Sequence, residues 1–110
     1  MTNEQKREML ALAAKAAETP VSMVSGVLCV FDEECYAKPW NPLDDDGDCA
    51  RLEARLKIFL LWGDNDVEAF VYSFDSGYGR ASYADHGNDH QAAHHLAVVK
   101  MAAAIGKAMS

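Results

Sequence analysis

Residues 58–74 have the sequence IFLLWGDNDVEAFVYSF. Two apolar runs, Ile58 to Trp62 and Val67 to Phe74, flank the short polar segment Gly63 to Asp66. Apolar runs joined by glycine and aspartate predict a β-hairpin. We predict that the first run is a buried strand and that burial alternates along the second. A third strand, Arg80 to Ala84, completes the predicted meander.

Helical patterns surround this meander. Apolar and alanine residues recur at helical spacing from Met9 to Ala17, and Thr2 with Gln5 has the form of a capping box, which predicts a helix over Asn3 to Glu18. A short hairpin from Val27 to Ala37 follows, and a second helix begins within Asp44 to Asp48. The closing helix is predicted over Asp89 to Ala108.

The order helix, hairpin, helix, meander, helix predicts an α+β fold. The economical architecture is an antiparallel sheet of about three to five strands covered by helices, a three-layer α-β-α sandwich. Because the chain has 110 residues, we expect residues 1–110 to form one domain.

Composition restricts the classes of partner. Seventeen acidic residues against ten basic ones give a formal charge of −7, which disfavours direct binding to nucleic acid and suits a basic protein surface. The three cysteines include no CxxC pair, and no apolar stretch is long enough to span a membrane. We therefore expect a cytoplasmic protein with reduced thiols and no membrane partner.

The segment between the hairpin and the second helix is a predicted rigid connector. Prolines at positions 39 and 42 flank Trp40 and Asn41 and fix the backbone outside the helical region. We predict structural roles for Trp40, as an indole anchored in the core, and for Pro42.

The run Trp40-Asn41-Pro42-Leu43, followed by DDDGDCARL at residues 44–52, resembles a signature of the bacteriophage "ABA sandwich" family. In that family a Trp-x-Pro segment, an acidic helix cap and an amphipathic helix precede a meander and an alanine-rich closing helix. The resemblance implies a phage or prophage origin, a host bacterial cytosol and a three-layer fold, but no activity and no catalytic residues. The chain departs from the family at His94 and His95, where apolar residues or cysteine are usual.

The acidic residues between positions 32 and 53 are the predicted partner-binding surface. We expect a small non-enzymatic accessory protein that inhibits a host defence system stoichiometrically, like an anti-CRISPR protein, by binding a basic groove. The predicted partner-binding residues are Asp32, Glu33, Glu34, Asp44, Asp45 and Asp48.

A second hypothesis is a sponge that binds a cyclic nucleotide immune signal between subunits. Its candidate ligand-binding residues are Tyr78 and Arg80, with Lys100 and Arg7 as the other available cations. The turn around Gly77 lacks a following helix, so an ordinary tight turn is the favoured interpretation there.

A third hypothesis is a metal-binding protein or enzyme built on the histidines. His90 and His94 lie one helical turn apart and could share zinc or nickel, with His86 folding back toward them. Solvated histidines are the favoured alternative, and we assign no metal, cofactor or catalytic residue.

The closing helix also has a second apolar stripe, formed by Val98, Met101 and Ile105. If one face of this helix covers the sheet, a monomer leaves the stripe wet, which predicts a homodimer through the C-terminal helix. The alternative is that the N-terminal helix covers the stripe within one chain.

Overall fold

The computed structural model describes residues 1–31, 34–72 and 74–109. Within these residues there are three α-helices, with three strands between each helix and the next, and a short 3₁₀ helix at Ala84–His86 before the last helix. In chain order the elements are α1 (Asn3–Ala16), β1 (Ser22–Val24), β2 (Val27–Phe31), β3 (Ala37–Pro39), α2 (Asp46–Leu56), β4 (Phe59–Trp62), β5 (Asp66–Phe70), β6 (Gly79–Ser82) and α3 (His90–Ala108).

The strands form two separate antiparallel sheets of three strands each. The N-terminal sheet has the order β1-β2-β3, and the C-terminal sheet has the order β4-β5-β6. The predicted α+β class, with antiparallel strands packed against helices, is confirmed. We predicted a single sheet, and the structure has two. The hairpin formed by β2 and β3 pairs with β1 as its third strand and does not pair with the meander. The three-layer arrangement stays a prediction.

Helix α1 begins as its sequence predicts. The Thr2 hydroxyl accepts a hydrogen bond from the Gln5 backbone N–H at 3.1 Å, and the Gln5 side chain accepts one from the Thr2 N–H at 2.8 Å. This capping box satisfies two of the N–H groups that a helix start otherwise leaves unpaired.

Helices α1 and α3 pack closely through small residues. Ala13 on α1 and Ala97 on α3 are fully buried, and a Cβ atom at Gly106 would overlap the Leu12 carbonyl. Glycine at position 106 therefore lets the two backbones approach further than any other residue would allow.

The predicted apolar stripe on α3 is covered within the chain. Val98 and Met101 have no exposed surface, and Ile105 is half-buried. Helix α1 covers one side of α3, and β5 and β6 cover the other. The apolar stripe from which we predicted a homodimer through this helix is therefore not exposed.

Strand β4 was predicted to be buried, and this is wrong. Phe59, Leu61 and Trp62 are 41%, 63% and 50% exposed. Cross-strand partners share a face, so the register places Val67, Ala69 and Gly79 toward α3, whereas Phe59 and Leu61 lie on the opposite face. An apolar run does not reveal whether a second layer covers it.

Trp40 and Pro42 lie in the core. Trp40 is 6% exposed, and its backbone N–H donates to the Leu28 carbonyl at 2.9 Å. Pro42 is among the largest fully buried side chains. The connector is thus fixed to both β2 and the start of α2.

We predict that Gly106→Ala lowers the free energy of unfolding by about 1–3 kcal/mol in urea denaturation, because the added methyl group must displace the α1 backbone. Gly47→Ala on α2 is the matched control. There the new Cβ meets only side-chain atoms of Arg51 and Asp45, at 3.2 Å, so stability stays level or rises by up to about 1 kcal/mol. Equal effects of the two substitutions would contradict the close approach of α1 and α3.

Candidate metal centre between α2 and α3

The acidic run before α2 builds the start of that helix. The Asp45 carboxylate is the N-cap and accepts from the Asp48 backbone N–H at 2.8 Å. The Asp48 carboxylate in turn accepts from the Asn41 backbone N–H at 2.9 Å and pairs with Arg51 at 2.6 Å. These bonds fix the angle at which the connector enters α2.

This local role changes the interpretation of the predicted partner-binding acids. Asp48 is only 8% exposed, so its carboxylate is not presented to a partner. Asp44 is exposed but accepts from the Asn41 side-chain amide at 2.9 Å. Glu34 is exposed, while Asp32 and Glu33 lie outside the described residues.

A second group of polar side chains joins α2 to α3. His95 is buried, with Nδ1 2.9 Å from the Leu43 carbonyl oxygen and Nε2 2.8 Å from Asp46 Oδ1. Because a carbonyl can only accept, Nδ1 carries a proton and donates it. The Gln91 amide also donates to Asp46 Oδ1, at 2.7 Å. The pKa of Asp46 is lowered, mainly by the hydrogen bond from Gln91. Desolvation raises this pKa, and the contact with His95 lowers it further.

Beside this group lies a cluster of three potential metal ligands. Cys49 and Glu53 are four residues apart on α2 and therefore share one helical face, and His94 reaches them from α3. Within the described part of the chain, Cys49, Glu53 and His94 form the group whose ligand atoms all lie within 4.8 Å of one another. His94 Nε2 is 3.2 Å from Glu53 Oε2.

The environment of Cys49 keeps its thiol protonated. Burial raises the pKa of Cys49 to about 12, with further contributions from the negative charges of Glu53 and Asp46. A thiol in this state is a poor nucleophile. A bound cation reverses the local electrostatics, because metal coordination deprotonates a thiol outright.

The separation of the Glu53 and His94 ligand atoms fits a tetrahedral ion. With bonds of about 2.0–2.3 Å, ligand atoms around zinc lie about 3.3–3.7 Å apart. The 3.2 Å separation of His94 Nε2 from Glu53 Oε2 is close to this value, and the ligand atom of Cys49 lies within 4.8 Å of both. The Glu53 and His94 side chains are 25% and 18% exposed, so solvent reaches the fourth position.

Of the three histidines suggested by the sequence, only His94 belongs to this cluster. The His90 ring stacks on Tyr83 with centroids 4.0 Å apart, and His86 lies in the 3₁₀ helix. Cys49 and Glu53 were not recognised as ligands. Their four-residue spacing was visible in the sequence, but the pairing with His94, 41 residues from Glu53, arises only when α2 packs on α3.

The cations suggested for a nucleotide do not converge. Arg80 pairs with Glu68 at 2.7 Å and Asp66 at 3.7 Å, and these carboxylates raise its pKa. Tyr78 is exposed, with its ring 5.6 Å from that of Phe74.

The other two cations lie in different places. The Lys100 amine donates to the Arg80 carbonyl at 3.0 Å. Arg7 lines a separate cleft of about 550 Å³ between α1 and the N-terminal sheet, together with Lys6 and Trp40. Of the predicted ligand-binding pair, Arg80 is already paired with two acids of its own sheet.

No family model, curated protein or solved structure matches the chain. The resemblance to the ABA sandwich family accordingly stays an expectation. None of the described helices has the length and apolar character needed to cross a membrane.

We predict that Asp46→Asn lowers the melting temperature at pH 7 and that this difference disappears in acid. The lowered pKa of Asp46 means that its stabilising contribution is complete above the ordinary carboxyl value of about 4. The contribution is lost as the pH falls through the lower folded-state pKa. Asp75→Asn, an equal loss of charge at an exposed position, controls for net charge. A wild-type and Asp46→Asn difference that persists unchanged at pH 2 would argue against a stabilising role of the ionised Asp46 carboxylate.

Proposed function

We propose that this protein binds a divalent transition-metal ion, with zinc as the best match, through Cys49 Sγ, Glu53 Oε and His94 Nε2. The observation that supports the proposal is the convergence of these three ligand atoms within 4.8 Å. Sulfur, imidazole nitrogen and carboxylate oxygen together form a donor set typical of zinc sites.

The charges favour this ion over magnesium or calcium. A thiolate at Cys49 and the carboxylate of Glu53 together balance a doubly charged cation, so the half-buried site becomes neutral when occupied. Magnesium and calcium prefer oxygen donors, whereas thiolate and imidazole select softer metals. The loss of the thiol proton makes the apparent affinity increase with pH.

The bound ion would join α2 to the centre of the fold. Cys49 and Leu52 are the buried apolar residues that α2 contributes, so this helix has few apolar anchors of its own. A metal bridge to His94 adds a strong cross-link and stabilises the folded state in proportion to occupancy. The fourth position would accept water or a donor atom from another molecule.

Zinc titration of tag-free protein tests the proposal. The Cys35→Ser background removes an exposed thiol that would bind zinc by itself. We expect one zinc ion per chain by calorimetry, a higher melting temperature with zinc, and an affinity that rises roughly tenfold per pH unit while the thiol is protonated. Cys49→Ser and His94→Ala are each expected to weaken binding at least about 100-fold, more than loss of a supporting hydrogen bond does.

His90→Ala is the matched control, because the sequence analysis predicted His90 as a ligand together with His94, whereas its ring stacks on Tyr83 in the structure. Its affinity for zinc is expected to equal that of the parent protein. Stoichiometric binding that survives Cys49→Ser but not His90→Ala would replace this site with the histidine pair. No binding by the parent protein at micromolar zinc would end the proposal.

The predicted inhibitor of a host defence system is a second proposal, supported by the net charge of −7 and by exposed acids at Glu34, Asp44 and Asp45. Asp45 stabilises α2 as its N-cap, so Glu34 and Asp44 provide the cleaner test of docking on a basic groove. We make no assignment of a partner beyond a protein with a basic surface.

We predict that Glu34→Lys/Asp44→Lys removes capture of a basic host protein at low salt while the fold is retained. Glu8→Lys/Asp75→Lys changes the net charge equally at exposed positions elsewhere and should leave capture intact. Pull-downs from host lysate at low and high salt compare the two variants. If both variants lose capture equally, net charge and not a docking surface attracts the partner.

A further inference from the structure

Strand β4 is an edge strand whose outer side is open. It pairs with β5 on one side, and no described residue hydrogen-bonds to the other side of Phe59–Trp62. Natural edge strands are usually protected by lysine, proline, a bulge or a covering element. This strand has the sequence FLLW and three of its four residues are exposed.

The hairpin geometry shows which backbone groups point outward. Gly63 N–H donates to the Asp66 carbonyl at 2.8 Å, which makes residues 63 and 66 a hydrogen-bonded pair. Hydrogen-bonded and non-hydrogen-bonded pairs alternate in an antiparallel ladder. Phe59 and Leu61 therefore direct their N–H and C=O groups toward β5, whereas those of Leu60 and Trp62 point to the open edge.

We propose that a second copy of this chain binds at this edge, with the two β4 strands antiparallel about a two-fold axis. The matching register places Leu60 opposite Trp62 of the second copy and Leu61 opposite its own counterpart. All four outward groups of each strand are then satisfied by those of the other copy. The neighbouring register, with Leu60 opposite Leu60, would require the Ile58 N–H, which already donates to the Glu53 carbonyl at 2.9 Å.

The side chains agree with this register. Leu61, the most exposed residue of β4 at 63%, would meet its counterpart across a non-hydrogen-bonded pair, where side chains approach most closely. The two-fold axis is perpendicular to the joined sheet, so both α3 helices stay on one side. The result is a continuous six-stranded sheet in which both β4 strands lie in the centre and neither is an edge strand.

Charge complementarity favours a second copy over an unrelated strand. Lys57 precedes β4, and Asp64 lies in the turn that follows it. In this register Ile58 lies opposite Asp64 of the other copy, so Lys57, the next residue, lies close enough to that carboxylate to give two symmetric attractive contacts. These contacts act against the repulsion between two chains of charge −7.

The mass of tag-free protein in solution, measured by light scattering across a dilution series, tests the proposal. We expect a mass of two chains at high micromolar concentration and dissociation on dilution. Leu61→Lys places two like charges opposite each other and is expected to weaken the dimer at least tenfold. Met23→Lys, at an exposed side chain of β1 in the other sheet, should leave the dimer unchanged. This pair of variants leaves Trp62 and the proposed metal ligands intact.

A charge exchange gives a second test that does not alter β4. Lys57→Asp should weaken the dimer, and Lys57→Asp/Asp64→Lys should restore it. Hydrogen exchange should show protection of the Leu60 and Trp62 amides only at concentrations where the dimer forms, whereas the Phe59 and Leu61 amides are protected throughout by β5. A single-chain mass at all concentrations overturns the proposal, as does an oligomer that Leu61→Lys and Lys57→Asp leave intact.

Discussion

The close approach of α1 to α3 is the constraint on which the rest of the structure depends. Gly106 lies against the Leu12 carbonyl on one side of α3. On the other side, a Cβ at Gly79 would come within 2.9 Å of the Ala97 carbonyl oxygen and Met101 Cβ. Helix α3 is thus enclosed between α1 and the C-terminal sheet. In each case one glycine permits the close approach. Because its middle is buried on nearly all sides, α3 is apolar around its circumference and has no free stripe.

The enclosed position of α3 also explains the chemistry at its N-terminal half. His94 and His95 precede the fully buried segment and point toward α2, where Asp46, Cys49 and Glu53 lie. The histidines are held by a rigid helix, and the acids and thiol come from a helix fixed at its start by Asp45 and Asp48. A proposed metal ion would therefore meet ligands whose separation is set by packing and not by loops.

Local features of the sequence were predictable, and features that depend on packing were not. The α1 capping box and the three helices follow from side-chain spacing within a few residues. The start of α2 was predicted only to lie within Asp44 to Asp48, because adjacent acids in one run are equally suitable caps; the N-cap is Asp45. The open face of β4 and the pairing of Cys49 with His94 depend on which elements pack together, and residue spacing along the chain does not specify this.

The N-terminal sheet is less buried than the rest of the molecule. Every residue of β1 and β3 is exposed, and Cys29 is the buried residue of β2. Few apolar contacts and many solvent-accessible backbone hydrogen bonds mark a segment that opens at a lower free energy than the whole protein unfolds. The chain therefore has two levels of cooperativity, with the α1–α3 core as the slower-exchanging unit. Proteolysis under native conditions would begin in the N-terminal sheet and leave α1 packed on a fragment that contains α2, the C-terminal sheet and α3.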